Sequence, residues 1–224
     1  MRLPTLLLSL IFLGSSLARA EGELMVMPAS LKVYNNHEHM VNVRNVGDES
    51  MYLSITLQKV INPGIEPEEK LAMSQIDHPT LLASPDKLTL GPGQSRSISL
   101  KSLVEPSVEA LYRLYIVPVR AMQVENAPKD KITAPMSVSV GYGVLIRHMP
   151  PPELQRTGWT HHCAGGGVSL ENTGNVRMVL SDVAVGSHLP IRSKVALFPG
   201  TPQLFAGKHV SLSINDVQQT LDCN

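Results

Sequence analysis

The sequence at residues 136–152, MSVSVGYGVLIRHMPPP, alternates residue by residue and then ends in three prolines. Alternate side chains of a β-strand point to opposite faces, so the pattern predicts one strand with an apolar face and a face rich in small residues. About eleven residues of strand extend roughly 36 Å, around twice the usual length. The apolar positions are Met136, Val138, Val140, Tyr142, Val144 and Ile146.

Such a strand has two interpretations. It is either a central strand of its own core or a strand that also serves a second protein. In the second case each apolar side chain buried by the partner would contribute about 1.5–3 kcal/mol. A free backbone edge would add main-chain pairing.

Short alternating segments separated by turn residues make up the rest of the chain. HMVNVRNVGDES is a strand that runs into a turn, MYLSITLQKV is the next strand, and KLTLGPGQSRSISLKSL is two strands joined at Gly-Pro-Gly. Signals for α-helices are nearly absent. The sequence therefore predicts an all-β protein.

Two short patterns occur once in each half of the chain. VRNVG at 43–47 resembles LENTG at 170–174, and Leu90-x-x-Gly93 before a strand resembles Leu204-x-x-Gly207 before another. The same order in both halves predicts two related β-sandwiches. The prolines at 150–152 form a stiff connector. We therefore place the first domain at 21–148 and the second at 153–224.

Residues 1–20 have the order of a secretory signal, with Arg2, an apolar run at 6–13 and Ala18-Arg19-Ala20 as the cleavage site. The run is too short to span a bilayer, and no later segment reaches eighteen apolar residues, so we predict no stable membrane insertion. Without Arg2 and Arg19, the 19 Lys and Arg become 17 against 19 Asp and Glu, a net charge of −2. This charge gives no reason to expect a nucleic acid partner.

The chain has two cysteines, Cys163 and Cys223. In a secreted protein they predict one disulfide. It would close a loop of about 60 residues, worth roughly 4 kcal/mol in the chain-entropy model. We expect it to hold together the small second domain, whose core is limited.

Histidine and methionine suggest one metal hypothesis. The candidate segments are His37-Glu38-His39, His161-His162-Cys163 and the Met-rich LMVMP at 24–28, whose imidazole and Met ligands suit copper in a periplasmic β-sandwich. Simpler roles fit them better, since the first pair lies in a polar turn and Met25 and Met27 alternate as strand residues do. We predict no metal and no other cofactor, and keep a copper-binding β-sandwich as an alternative.

Motifs for catalysis are missing from the sequence. There is no Gly-x-Ser-x-Gly, no His-Glu-x-x-His and no pair of carboxylates at a telling spacing. Asp77-His78 is best explained as a solvated pair in a loop. We therefore predict that the protein is not an enzyme.

Six segments, in order along the chain, resemble the periplasmic chaperones of the chaperone–usher pilus pathway. The closest resemblance is to the alpha-type branch that serves colonisation-factor-like fimbriae. The segments are MVMPASLKVYNN, QKVINPG, ASPDKLTLGPGQSRSISL, YRLYIVPV, MSVSVGYGVLIRHMP and NTGNVRM. They extend from about residue 25 to 178 and so cover both predicted domains.

This resemblance implies two Ig-like sandwiches in a boomerang arrangement, located in the periplasm. It implies that the last strand of the first domain uses donor-strand complementation to complete an unfinished pilus subunit, since an open groove is an aggregation hazard. The complex would then be delivered to an outer-membrane usher. The subunit-binding strand would contain Met136, Val138, Val140, Tyr142 and Val144.

The resemblance also implies basic residues, in the cleft between the domains, that hold the carboxylate at the C-terminus of the pilus subunit. Lys32 in LKVY lies where the family has one of them, and a lysine holds a carboxylate as a point charge. A second base is expected four residues before Arg147, where this sequence has Gly143. Arg113 and Arg147 are the other two candidates, and a solvated surface base is the simpler interpretation of each.

A structural pilus subunit or adhesin is the main alternative to an assembly chaperone. A subunit should have one incomplete sandwich and an N-terminal donor extension. This chain instead predicts two sandwiches joined by a proline-rich connector. The sequence does not name the cognate subunit.

Overall fold

The structure is a computed structural model that describes residues 24–119, 140–186 and 194–223. The predicted signal sequence lies outside the described residues, and so do Met136 and Val138. The described residues are all-β apart from two short 3₁₀ turns, Met73–Gln75 and Pro152–Leu154. None of them forms a helix long and apolar enough to cross a membrane.

Ten strands precede the proline connector in the described part of the chain. They are β1 (Leu24–Met27), β2 (Ser30–Val33), β3 (His39–Asn45), β4 (Met51–Val60), β5 (Lys70–Ala72), β6 (Leu81–Ser84), β7 (Lys87–Leu90), β8 (Ser95–Ser102), β9 (Ala110–Val119) and β10 (Tyr142–His148). One sheet has the order β1-β3-β8-β6, and the other has the order β2-β10-β9-β4-β5, with β7 also on β4. All pairs are antiparallel except β2 with β10, which is parallel.

Seven described strands follow the connector. They are β11 (Trp159–Ala164), β12 (Gly167–Asn172), β13 (Met178–Val185), β14 (Val195–Leu197), β15 (Gln203–Phe205), β16 (His209–Ile214) and β17 (Val217–Asp222). They form two sheets, β11-β12-β15 and β14-β13-β16-β17. Two sheets on each side of the connector confirm the predicted pair of sandwiches.

Each sandwich has its own core because its strands alternate as the sequence predicts. In β4, MYLSITLQKV, the buried residues Met51, Leu53, Ile55 and Leu57 point inward. They join a cluster that includes Val144 and Ile146 of β10. A separate cluster fills the second sandwich.

Asn45 and Asn172 have the same structural role in the two sandwiches. Each is buried, and each side-chain oxygen accepts the N–H of a glycine two residues later, at 3.0 Å from Gly47 and 2.8 Å from Gly174. Their amides donate to backbone carbonyls, of which one is Leu90 for Asn45 and Leu197 for Asn172. The first sequence match is thus confirmed. The second match is wrong, since the counterpart of Leu90 is Leu197 and not the exposed Leu204.

The predicted disulfide is present. Cys163, in β11, is bonded to Cys223, which follows β17. These strands belong to the two different sheets of the second sandwich. The bond therefore joins the sheets directly across a small core.

The two sandwiches contact each other through an apolar cluster and a set of hydrogen bonds. Phe198 and Ala196 of the second pack on Val60, Leu111 and Leu145 of the first. Beside them, Thr201 Oγ1 donates to the Pro63 carbonyl at 2.8 Å, and Gln203 Nε2 donates to the Gly64 carbonyl at 2.8 Å. The loop at 61–69 thus lies in the corner between the sandwiches.

Candidate functional site

Strand β10 is covered along one part of its length and open along the other. β2 pairs with it over residues 145–148, and the Leu145 N–H donates to the Ala29 carbonyl at 3.0 Å. The strand before β2, β1, belongs to the other sheet, so the chain changes sheets at Pro28 and covers β10 no further. Over residues 142–144, β9 lies on one side of β10 and no described strand lies on the other. We call this part the open edge; such an edge can accept a further strand.

The apolar face of β10 passes from the core into solvent. Ile146 is 0% exposed and Val144 is 1% exposed, whereas Tyr142 is 38% and Val140 is 68% exposed. These alternate positions share one face, so the apolar stripe begins in the sandwich core and continues past it. Val144 is therefore a core residue here, although the sequence analysis grouped it with the subunit-binding positions.

The strand itself is shorter in the described residues than the sequence pattern predicts. β10 begins at Tyr142, and Val140 and Gly141 precede it without strand pairing. The predicted start, at residues 136–139, lies outside the described residues. The length of the apolar strand beyond Tyr142 therefore stays a prediction.

The small alternates of the stretch lie under larger side chains of β9. A Cβ on Gly143 would come within 3.3 Å of the Tyr115 ring, and one on Gly141 within 3.0 Å of the Val117 side chain. Gly143 is paired with Tyr115 in register. On the face opposite the apolar stripe, Tyr115 and Val117 thus leave room only for small residues at 143 and 141.

Lys32 lies on the outer face of the sheet, next to Arg147 in the parallel pairing of β2 and β10. Its side chain is exposed. No described residue forms an ion pair with it. Within the described part of the chain it is therefore a free cation beside the interdomain contact.

Arg113 lies on the same outer face, paired in register with Leu145. Its Nε lies 3.1 Å from each carboxylate oxygen of Glu68. Lys70 Nζ lies 3.5 Å from Glu68 Oε2. The nearby Tyr115 hydroxyl raises the pKa of Lys70, and Glu68 raises it further, so the ammonium is charged at neutral pH. Two cations thus share one carboxylate, and Arg113 lies opposite Leu145, the residue next to the open edge.

Arg147 forms an internal ion pair. Its guanidinium makes a bidentate contact with Glu109, with Nε 2.6 Å from Oε1 and Nη2 2.9 Å from Oε2. Glu109 Oε2 also accepts the backbone N–H of Arg177 in the second sandwich, at 2.7 Å. The three candidate anchors therefore differ in their ion pairs with described residues. Lys32 has none, Arg113 contacts a Glu68 carboxylate that Lys70 also contacts, and Arg147 is paired with the buried Glu109.

Asn175 continues the contact between the sandwiches on the connector side. Its Nδ2 donates to the carbonyls of Ser107 and Leu154, each at 3.0 Å. Its Oδ1 accepts the Arg156 N–H at 2.6 Å. Its own carbonyl accepts the Glu109 N–H at 2.9 Å. One buried asparagine thus joins the first sandwich, the connector and the second sandwich.

The last residue of β10, His148, is fully buried. Its Nε2 is hydrogen-bonded to Ser102 Oγ at 2.7 Å, while its Nδ1 has no partner among the described residues. Burial lowers the pKa of His148 to about 4, and the nearby His39 lowers it further. The imidazole is therefore neutral at neutral pH. Burial also lowers the pKa of His39.

The histidines singled out as copper ligands do not come together as a metal site. Within the described residues, no group of three or more His, Cys, Asp or Glu is placed to hold a metal ion. His37 Nδ1 is hydrogen-bonded to the Asn35 carbonyl at 2.8 Å, and His39 Nε2 accepts the Tyr34 N–H at 2.9 Å. Cys163 is in the disulfide.

Sequence reasoning missed the acidic partners of the basic residues. Glu68 is 45 residues from Arg113 along the chain, and Glu109 is 38 residues from Arg147. Only the strand register brings them together, so local patterns carry no direct signal for either pair. One indirect signal was Glu109 itself, a charged residue directly before the apolar strand β9.

The chain is similar in sequence to two fimbrial proteins of Escherichia coli. No family model matches the chain. The chain is 31% identical over 165 residues to a CFA/I fimbrial subunit of Escherichia coli, covering 73% of this chain and 68% of that protein. It is 26% identical over 172 residues to a CS1 fimbrial subunit of Escherichia coli, with the same two coverages.

Solved structures share the fold along most of the chain. The class 5 fimbriae chaperone CfaA superposes with a TM-score of 0.68 at 24% identity, covering 90% of this chain and 100% of that one. A chain of a chaperone–tip adhesin complex of CFA/I fimbriae gives 0.70 at 23% identity, covering 89% and 98%. A chain from the complex of the Salmonella enterica SafA pilin with the SafB chaperone gives 0.59 at 14% identity, covering 92% and 99%.

The fold is thus that of a two-domain, immunoglobulin-like fimbrial chaperone. The chain belongs to the family of periplasmic chaperones of the chaperone–usher pathway, in the class 5 branch of CFA/I-type fimbriae. The family resemblance of the sequence is confirmed.

Proposed function

We propose that this chaperone binds pilus subunits by donor-strand complementation, with β10 and the residues that precede it as the donor strand. The observation that carries the proposal is the apolar stripe that leaves the core at Val144 and continues through Tyr142 to Val140 along an open strand edge. A pilin that lacks a strand offers the complementary surface, an open groove and an unpaired edge. Val138 and Met136 extend the stripe in the sequence.

Two interactions would act together in this complex. The open edge supplies main-chain hydrogen bonds, and the stripe supplies apolar side chains at every second residue. Each side chain that the groove buries would contribute about 1.5–3 kcal/mol. In the free chaperone Tyr142 is partly covered, which reduces the apolar surface that the described part of the stripe exposes.

The C-terminal carboxylate of the pilus subunit would bind in the cleft between the sandwiches. We assign Lys32 and Arg113 to this anchor, because both lie on the outer face of the sheet. Arg147 is a poorer anchor, since both of its contacts with Glu109 would have to be given up. A cation that keeps a carboxylate in a partly desolvated cleft forms a strong, charge-assisted contact.

The chaperone would act in the periplasm and deliver the bound subunit to an outer-membrane usher. The support for this part is the secretory signal predicted at 1–20 and the family membership. Fractionation of cells that express the full chain tests the location. Capture of the purified complex, but not of the free chaperone, by an outer-membrane usher of the same class of fimbriae tests the delivery.

A site-specific cross-link tests the donor strand. A photoreactive amino acid placed at Val140 or Tyr142 should cross-link to a pilus subunit from the neighbouring gene when the two are expressed together. The matched control is the same amino acid at Val217, an exposed valine at the start of β17 in the second sandwich. Equal cross-linking from Val140 and Val217 would contradict the proposal.

A structural role in the fimbria remains the second candidate, because the curated relatives carry the names of fimbrial subunits. The two-sandwich architecture argues for a chaperone, since the same fold occurs in the chaperone CfaA. A structural component should be incorporated into assembled fimbriae. A chaperone should be absent from fimbriae sheared from the cell surface, which makes that measurement decisive.

A further inference from the structure

Glu68, Arg113 and Lys70 form an ion cluster beside β10, the proposed donor strand. Arg113 lies opposite Leu145 of β10, two residues from Gly143, and Lys70 of β5 contacts the same Glu68 carboxylate. The cluster therefore lies two register positions from Gly143, where the sequence lacks the expected second base. The bases come from β9 and β5 instead.

The cluster has two cations and one carboxylate, and only part of the Arg113 guanidinium is hydrogen-bonded. Two cations face one carboxylate, so the cluster keeps a net positive charge. Arg113 contacts Glu68 through Nε, while its Nη groups have no hydrogen-bond partner among the described residues. Those two groups can still form a fork that matches a second carboxylate.

Glu68 belongs to a loop that is held by the second sandwich. Pro63 and Gly64 of this loop accept hydrogen bonds from Thr201 and Gln203. Glu69 N–H donates to Asn62 Oδ1 at 2.7 Å, which fixes the loop just before β5. The Glu68 carboxylate is thus placed in the cleft by both sandwiches.

We propose that Glu68 is a resident substitute for the client carboxylate: in the free chaperone it occupies Arg113, with Lys70 beside it, and it competes with the C-terminus of the pilus subunit for Arg113. This inference rests on the proposed function. A carboxylate of the client that reaches Arg113 comes within a few ångströms of Glu68, and like charges at that distance repel each other. Glu68 therefore lowers the affinity for the pilus subunit while it partly neutralises the two cations in the free chaperone.

Removal of the Glu68 charge tests this competition. For a pilus subunit from the neighbouring gene, Glu68→Gln should raise the affinity by roughly threefold to tenfold, the size expected for one partly screened charge. Arg113→Gln should lower it. Both variants should fold, because a partly exposed ion pair contributes little to stability. Glu69→Gln is the matched control, since it removes the same charge one residue away, and it should leave the affinity unchanged.

A second set of measurements tests whether the competing group is the C-terminal carboxylate of the pilus subunit. The same measurements are made with a pilin that carries two extra glycines at its C-terminus, which moves the carboxylate out of register. The gain from Glu68→Gln should then vanish, and raised salt should reduce it for the native pilin. An unchanged or lower affinity of Glu68→Gln for the native pilin overturns the inference, and so does an equal gain with the extended one.

Failure of the proposed function has a different signature. If the wild-type chain forms no complex with either form of the pilin, both proposals fall. If the wild-type complex forms and depends on Val140 but is indifferent to Glu68 and Arg113, the donor strand stands and only the competition is wrong.

Discussion

Arg147 and Glu109 form a buried bidentate ion pair at the junction of the two sandwiches. Arg147 is in β10, and Glu109 directly precedes β9. The carboxylate of Glu109 is completely buried, and it also accepts the backbone N–H of Arg177 from the second sandwich. The end of the proposed donor strand is therefore fastened to the second sandwich through a single carboxylate.

Glu109→Gln should destabilise the protein by about 3–5 kcal/mol, because it leaves the guanidinium of Arg147 buried without its counter-charge. Urea unfolding followed by tryptophan fluorescence and circular dichroism measures this loss. Glu68→Gln is the control, since it breaks a partly exposed pair that is worth about 0–1 kcal/mol. Equal losses for the two variants would show that the junction does not depend on Glu109.

Stability should fall as the medium becomes acidic, because His148 is held in its neutral form. Its pKa is about 4 in the folded chain against 6.5 for a free imidazole. Between these values the unfolded chain takes up a proton that the folded chain does not, so the free energy of unfolding rises with pH in this window. The full difference is about 3 kcal/mol, and the dependence on this group ends above about pH 6.5.

Unfolding free energies of the wild type and of His148→Asn, measured between pH 4 and 8, test this expectation. The variant should be less stable at neutral pH but should show a flatter pH dependence between about 4 and 6.5. The same slope in both proteins would mean that other groups, such as His39 or the carboxylates, set the acid response.

Asn45→Ala and Asn172→Ala should each destabilise the sandwich that contains them. Each asparagine satisfies buried backbone groups, and loss of its amide leaves those groups unpaired at a cost of about 1–3 kcal/mol. Hydrogen exchange resolved by domain measures where the loss occurs. The prediction is contradicted if either variant loosens both sandwiches equally or neither.

Cys163→Ser should destabilise the second sandwich by roughly 4 kcal/mol, since the bond closes a loop with a sequence separation of 60. We expect hydrogen exchange to rise in the second sandwich and to remain near the wild-type level in the first. Mass spectrometry of the wild type after alkylation should detect no free thiol. Two alkylated cysteines in protein from an oxidising compartment would refute the expectation.

The sequence predicts those features of this fold that depend on local periodicity. The alternation in β4 and β10, the turn asparagines at 45 and 172 and the three prolines of the connector all indicated two β-sandwiches. The Leu204 match failed because turn residues recur wherever strands are joined, and only the hydrogen bonds of Asn172 identify Leu197 as the counterpart of Leu90.

The candidate site was harder to predict because it depends on register and on distant pairs. Periodicity placed Val140, Tyr142 and Val144 on one face, but it did not indicate that the core ends between Val144 and Tyr142. Nor did it indicate that the first strand segment changes sheet at Pro28, which leaves the edge of β10 open before Leu145. The engagement of Arg147 by Glu109 likewise follows from tertiary contacts.

The most direct test of the donor strand compares two properties of one variant, Val140→Asp. A charge at this position would have to enter the apolar groove of the pilus subunit, at a cost of several kcal/mol, whereas in the free chaperone the side chain is 68% exposed. We predict a near-normal melting temperature for the free variant and loss of its complex with the pilus subunit, while Val217→Asp keeps both. A collapsed melting temperature, or a complex recovered in wild-type yield, would contradict the account.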